Sequence, residues 1–213
     1  MELRGLWKWV YAFGDWLSRV FVLHLLWIVF SIAGIGVFGL FPATAAMFAV
    51  IRKRILGDRD LPTFKTFMAH FKSDFLKVNA IGYTMAAIGC FLYFDLYITR
   101  HGIHSMVLYF LLLILGFFYL ITVLYLFPVF VHYELKMSHY LKQSFLIAII
   151  RPFETIGCLV ILLVFYYLFL FFPILLIFLG APLIAYPIMW LTNHAFEGVT
   201  RKIQAIDNKT DDM

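Results

Sequence analysis

The chain has 213 residues, 64% of them apolar or aromatic and 14% charged, with 25 Phe, 12 Tyr and 5 Trp. Soluble domains hold about 45–50% apolar residues, so this composition, with a mean hydropathy of +0.93, excludes a soluble globular fold and describes a chain largely solvated by lipid. The net charge of +5 comes from Lys and Arg in the segments between apolar runs, a pattern of membrane topology rather than of nucleic-acid binding.

In chain order, Leu6, Trp7, Trp9, Val10, Phe13 and Trp16 accompany Arg4, Lys8, Asp15 and Arg19. They predict a short helix at headgroup depth, with Asp15 and Arg19 as an i, i+4 pair. Four stretches then carry no Asp, Glu, Lys or Arg: 20–51, 78–94, 101–133 and 155–196. A crossing needs about 20 residues, so the last stretch holds two, turning at Leu179-Gly180-Ala181-Pro182, with Pro173 and Pro187 as alternative sites of a kink or a re-entrant break. The predicted spans are 20–41, 78–98, 106–130, 155–178 and 182–200. Pro42 is expected to end the first and to open a partly interfacial helix over 42–56. Ala43-Thr44-Ala45 looks like a signal-peptidase site, but the apolar run before it is too long for a signal peptide, so span one is expected to be retained.

Between spans one and two, Phe64, Phe67, Met68, Phe71 and Phe75 follow helical spacing, with Lys65, His70, Lys72 and Asp74 on the other face. This predicts an interfacial amphipathic helix, either a simple connector or an element that touches a cytoplasmic partner. Leu141, Phe145, Ala148 and Ile149, set against Lys136, His139, Lys142 and Gln143, predict a second one, closed by Pro152. The chain thus reads twice as span, surface helix, span, with Ile81-Gly82 and Ile156-Gly157 in corresponding places. The fold class is therefore all-α: a polytopic membrane protein with about five transmembrane helices and two cytoplasmic interfacial helices. A single domain covers 1–204, and 205–213 form a disordered acidic tail. With Arg4, Lys8, Arg19 and Arg100 on one side and the other Lys and Arg on the opposite side, the basic residues place the C-terminus in the cytoplasm and the N-terminus outside, in the cell membrane.

Polar and small residues inside the spans supply the site candidates. Gly82, Ala86 and Cys90 recur every fourth position, a ridge for close helix packing or for a homodimer seam. Cys90 and Cys158 lie in apolar runs and are expected to be buried, without a disulfide. His24 suits a hydrogen-bonded packing role or a ligand role; Asp95 suits a local pair with Arg100 or contact with a solute. Asn193, His194 and Glu197 form a polar cluster near a span end, but His-x-x-Glu falls short of a metal site. His101 and His104 are equally weak metal candidates, and Glu134 and Glu154 are too far apart along the chain for paired acid–base work. Phosphate-loop, dinucleotide and zincin motifs are absent from the sequence, so no enzymatic function and no cofactor is expected.

The run FPATAAMFAVIRKR from Phe41, the Gly57-Asp58 turn, FKTFMAHFKSDFLKVNAIG from Phe64 and Arg151-Pro152-Phe153 resemble the YesL-type family of small bacterial membrane proteins. The resemblance implies a protein found chiefly in Gram-positive bacteria and encoded beside carbohydrate importers of the ATP-binding-cassette type, with an accessory role. It carries no catalytic residue; Pro42, Ala43, Thr44, Ala45 and Ala46 match, with a structural role at the elbow after span one. Two functions follow as expectations. One is an accessory subunit that contacts permease subunits through Phe64, Lys65, Phe67, Phe71, Lys72, Phe75 and Lys142. The other is an autonomous solute transporter or channel, with a sensor or assembly factor beside it.

Overall fold

A computed structural model describes residues 3–34, 36–58 and 60–211. The described residues form eight α-helices and no strand: α1 (Leu3–Ala33), α2 (Val37–Ile55), α3 (Thr63–Ser73), α4 (Phe75–Ile98), α5 (Met106–His132), α6 (Met137–Ile150), α7 (Pro152–Phe171) and α8 (Pro173–Asp211). Five segments among them are long and apolar enough to cross a membrane: Val10–Ala33, Phe75–Ile103, Met106–His132, Pro152–Phe171 and Pro173–Arg201. The protein is an all-α polytopic membrane protein. Where the sequence suggests one domain, the chain packs as two compact units, Met1–Ser73 with Val160–Ile188 and Asp74–Leu159 with Met189–Met213. Helices α7 and α8 contribute to both.

In the first unit the reversal after span one falls at Gly34–Gly36, not at Pro42. Gly36 has φ 65°, a left-handed conformation that glycine adopts without steric cost. A side chain on Gly34 would strike Gly39, and one on Gly39 would strike the carbonyls of Phe30 and Ser31, so two glycines let the helices meet at the elbow. Pro42 and Ala43–Ala46 lie beyond it, inside α2. Pro42 lacks the N–H that would bond the Phe38 carbonyl; two residues on, Thr44 donates to the Leu40 carbonyl at 2.8 Å and accepts from Trp27 Nε1 at 3.0 Å, tying α2 to α1. Helix α1 is one continuous helix rather than a short surface helix followed by a span; the side chains of Arg4, Leu6 and Trp9 lie outside the described residues.

Helix α3 ends at Ser73, so Phe75 belongs to α4. Its aromatic stripe does not face lipid alone, because Phe30 of α1 takes Phe67 and Phe71 at ring distances of 5.3 and 5.0 Å. The turn expected at Leu179–Pro182 lies inside α8, and the chain reverses instead at Phe172. Pro173 starts α8, where its missing N–H costs nothing. A side chain on Gly180 would meet the Leu176 side chain of the same helix at 2.9 Å, with His24 in ordinary contact at 3.9 Å.

In the second unit α4 and α5 pair through Tyr119, whose hydroxyl donates to the Met85 carbonyl at 2.9 Å. The small residue that admits it is Gly89, where a side chain would collide with the Tyr119 ring. Gly82 is buried but Ala86 and Cys90 are exposed, because the packed face of α4 runs through Val78, Ile81, Met85 and Leu92 instead. Helix α6 does not lie apart on a surface. It packs against α5, with Phe130 on Tyr140 at 4.9 Å and Phe118 on Phe145 at 5.8 Å. The α6–α7 corner is tied by Thr155, whose hydroxyl is 2.8 Å from the Ala148 carbonyl, 2.9 Å from that of Arg151 and 3.1 Å from the Tyr125 hydroxyl. Helix α8 continues as helical backbone to Asp211 through most of the predicted tail; Asp212 and Met213 lie outside the described residues.

Candidate functional site

A polar concavity of the first unit lies at the end of the α1–α2 hairpin remote from the elbow. Helix α2 has 19 residues, or about 28 Å at 1.5 Å per residue, so this end and the elbow are separated by roughly one hydrocarbon thickness. Here Ala12, Asp15, Trp16 and Arg19 of α1, Arg54 and Ile55 of α2 and Tyr186 of α8 enclose about 400 Å³. Arg19 pairs with Asp15 at 2.8 Å. Arg54 donates to Thr63 Oγ1 at 2.5 Å and to the Tyr186 hydroxyl at 3.3 Å. The Tyr186 and Trp16 rings lie 6.1 Å apart. This arrangement corrects one expectation: Arg19 and Arg54, assigned to opposite sides of the membrane from sequence, line one cavity. The elbow at Gly34–Gly36 makes the chain turn back before the basic run, which brings both ends of the hairpin together.

The second unit holds an apolar cavity of about 420 Å³, with Met85, Leu92 and Asp95 of α4, Leu115 and Tyr119 of α5 and Phe145 of α6 in its wall. Asp95 is not paired with Arg100. Five residues at 100° each place the two about 140° apart around the helix, and Arg100 lines a separate cavity of about 400 Å³ with Thr99, His104, Ser105, Met106 and Tyr109.

The other candidates do not converge. His24 is buried, stacks on Trp27 at 5.8 Å and bonds the Ile177 carbonyl at 3.0 Å. Asn193 is 5% exposed, with no partner for its Oδ1, whereas His194 and Glu197 are exposed. His194 bonds the Trp190 carbonyl at 2.9 Å, and Glu197 pairs with Arg201 at 3.4 Å. His101 and His104 each bond a nearby carbonyl at 3.0 Å. Among the described residues no group of three or more His, Cys, Asp or Glu could hold a metal. Of the expected partner contacts, Phe67 is fully buried and cannot touch a partner, whereas Phe64 is 58% exposed. Lys65, Lys72 and Lys142 are exposed, and Phe71 and Phe75 are half-buried.

Sequence reasoning missed Arg54, Tyr186 and the Arg151 site. Arg54 is one of three adjacent basic residues at a helix end and had no signal to distinguish it; Tyr186 is 132 positions away. Arg151 pairs with Glu154 at 2.8 Å and donates to the His194 carbonyl at 3.4 Å. Its guanidinium occupies the space left by the missing side chain of Gly198. The Arg-Pro-Phe run was visible in the sequence; its partner on α8 was not.

The helices thus define a multi-pass membrane protein with interhelical polar contacts at span ends. Residues 20–96 match the family model described as "Protein of unknown function, DUF624". Three proteins of Bacillus subtilis (strain 168), each described as uncharacterized, are similar. YteU is 36% identical over 177 residues, 82% of this chain and 79% of YteU. YesV is 35% identical over 194 residues, 88% of this chain and 91% of YesV. YesL is 38% identical over 144 residues, 68% of each chain. The chain belongs to this YesL-type family. No solved structure matches it.

Proposed function

We propose that this protein is a non-enzymatic subunit of the cell membrane that assists carbohydrate uptake by contacting the permease of an ATP-binding-cassette importer. The observation that carries the reading is the division of labour on α3: Phe67 is spent on the protein's own core, while Phe64, Lys65 and Lys72 stay exposed. Exposed aromatic residues flanked by cations suit a partner surface, and Lys142 of α6 presents a further cation. The resemblance to proteins encoded beside such importers supplies the partner class. The test is affinity purification from mildly solubilised native membranes with amine cross-linking. Permease subunits linked to Lys65, Lys72 or Lys142 are expected, and Phe64→Glu combined with Lys65→Glu should lower their recovery without loss of folded protein. Recovery of the protein alone would count against the reading. Phe67→Glu is unsuitable, since it places a charge in the core.

Orientation enters the same proposal. With Arg19 and Arg54 at one end of the hairpin, α2, buried along most of its length and basic in its last turn, acts as a sixth crossing beside the five long apolar segments, so that the chain returns to the side from which α1 started and both termini face the cytoplasm. Of the seventeen Lys and Arg, only Arg100, between α4 and α5, then falls in an outer segment, as the positive-inside rule favours. One observation favours a second reading, autonomous transport: Asp95 lines an apolar cavity and has no ion pair or hydrogen bond among the described residues. Intramembrane carboxylates commonly mark solute or proton paths. Flux through the purified protein in liposomes, lost in Asp95→Asn, is what that reading requires.

A further inference from the structure

The cavity at the basic end of the α1–α2 hairpin has the chemistry of a phosphate site. Arg54 leaves the last turn of α2 half-buried and reaches two neutral partners, the Thr63 and Tyr186 hydroxyls. Its Nε is buried without a hydrogen-bond partner. A guanidinium removed from bulk water is ordinarily matched by a carboxylate or phosphate that takes two of its N–H groups at once. The carboxylate in the cavity, Asp15, is already taken by Arg19 at 2.8 Å. The lining side chains carry two cations and one anion; a second carboxylate outside the lining, Asp60, also acts on Arg19, whereas the partners of Arg54 are hydroxyls only.

The remaining groups fit the same ligand. Tyr186 accepts from Arg54, and its own O–H is free to donate into the cavity. Trp16 borders the cavity beside it, and tryptophan and tyrosine favour headgroup depth. The hairpin length puts this end about one hydrocarbon thickness from the elbow, the depth at which lipid phosphates lie. About 400 Å³ accommodates a headgroup-sized ligand.

We propose that Arg54, with Tyr186 and Arg19 beside it, binds a singly charged phosphate group, borne either by a phospholipid headgroup or by a free phosphate. The proposal is independent of any permease contact. The experiment is native mass spectrometry of the full chain, delipidated in detergent and titrated with phosphatidylglycerol, with a diacylglycerol of the same acyl chains, and with inorganic phosphate as competitor. One retained phosphatidylglycerol per chain is expected, with weaker retention of the diacylglycerol. Loss of hydrogen bonds to a charged group should weaken retention roughly ten- to a hundredfold in Arg54→Gln. Tyr186→Phe, which keeps the ring packing, should weaken it less, and its unchanged thermal unfolding guards against a folding artefact in the arginine variant. Displacement by inorganic phosphate assigns the site to free phosphate, and persistence assigns it to the lipid. Equal retention of phosphatidylglycerol by the wild type and both variants, or of diacylglycerol and phosphatidylglycerol by the wild type, would overturn the proposal.

Discussion

Single residues decide whether the hairpin closes. A side chain on Gly39 would meet backbone carbonyls of α1, which cannot swing aside, whereas nothing occupies the space beside Gly36. Gly36→Ala therefore costs only the backbone conformation, φ 65° with ψ −85°, which L residues rarely adopt, about 1 to 3 kcal/mol. Gly39→Ala must push two helices apart and should reach or exceed the ~3 kcal/mol upper range of overpacking. Thermal unfolding in detergent checks the order: Gly39→Ala should melt below Gly36→Ala, and the reverse order would contradict the elbow geometry. In the sequence, Ser31, Ala33, Gly34, Gly36 and Gly39 read as a patch of small residues for close packing or bending. Which glycine turns and which one packs was not legible, because that depends on a contact between positions on two helices.

The elements show a similar division between what composition fixes and what contacts fix. The spans α4 and α5 stand within a few residues of their predicted limits, since uninterrupted apolar runs bounded by charge or by polar caps leave little choice; Ser105, for instance, caps α5 by accepting from the Leu108 N–H at 3.5 Å. The α7–α8 reversal was misplaced because Gly-Pro pairs mark turns in water but are tolerated inside membrane helices, where neighbouring groups satisfy the freed carbonyls. Helix α6 was expected on the surface because its polar positions follow helical spacing. Its Tyr140, Ser144, Ile147 and Ala148 are nevertheless buried, and Pro152 then starts a new helix. Thr155 holds that corner. Thr155→Val should lower stability by about 1 to 3 kcal/mol through the unsatisfied groups it leaves, whereas Thr155→Ser, which keeps the hydroxyl, should stay near wild type. A Val variant as stable as wild type in the same melting assay would show that the corner is held by packing alone.

For the whole molecule, the hairpin makes a claim about sidedness that labelling can read. In a chain whose Cys90 and Cys158 are replaced by Ala, Trp7→Cys and Asp58→Cys should both be shielded from a membrane-impermeant maleimide in intact cells. Ile103→Cys, on the α4–α5 connection, should react. Labelling of Trp7→Cys from outside while Asp58→Cys stays protected would place the two ends of the hairpin on opposite sides and exclude the proposed orientation. The fold class was legible from composition because lipid imposes helices on any chain this apolar. The Arg54–Tyr186 cavity was not, because its arginine and tyrosine meet only after the last helix has folded back. The sharing of α7 and α8 between the two units adds a constraint on biogenesis. The unit opened by the N-terminal hairpin is completed by residues 160–188, so it stays unfinished until those residues have left the ribosome, and a stop before them strands it with its helix-packing faces open to chaperones and proteases.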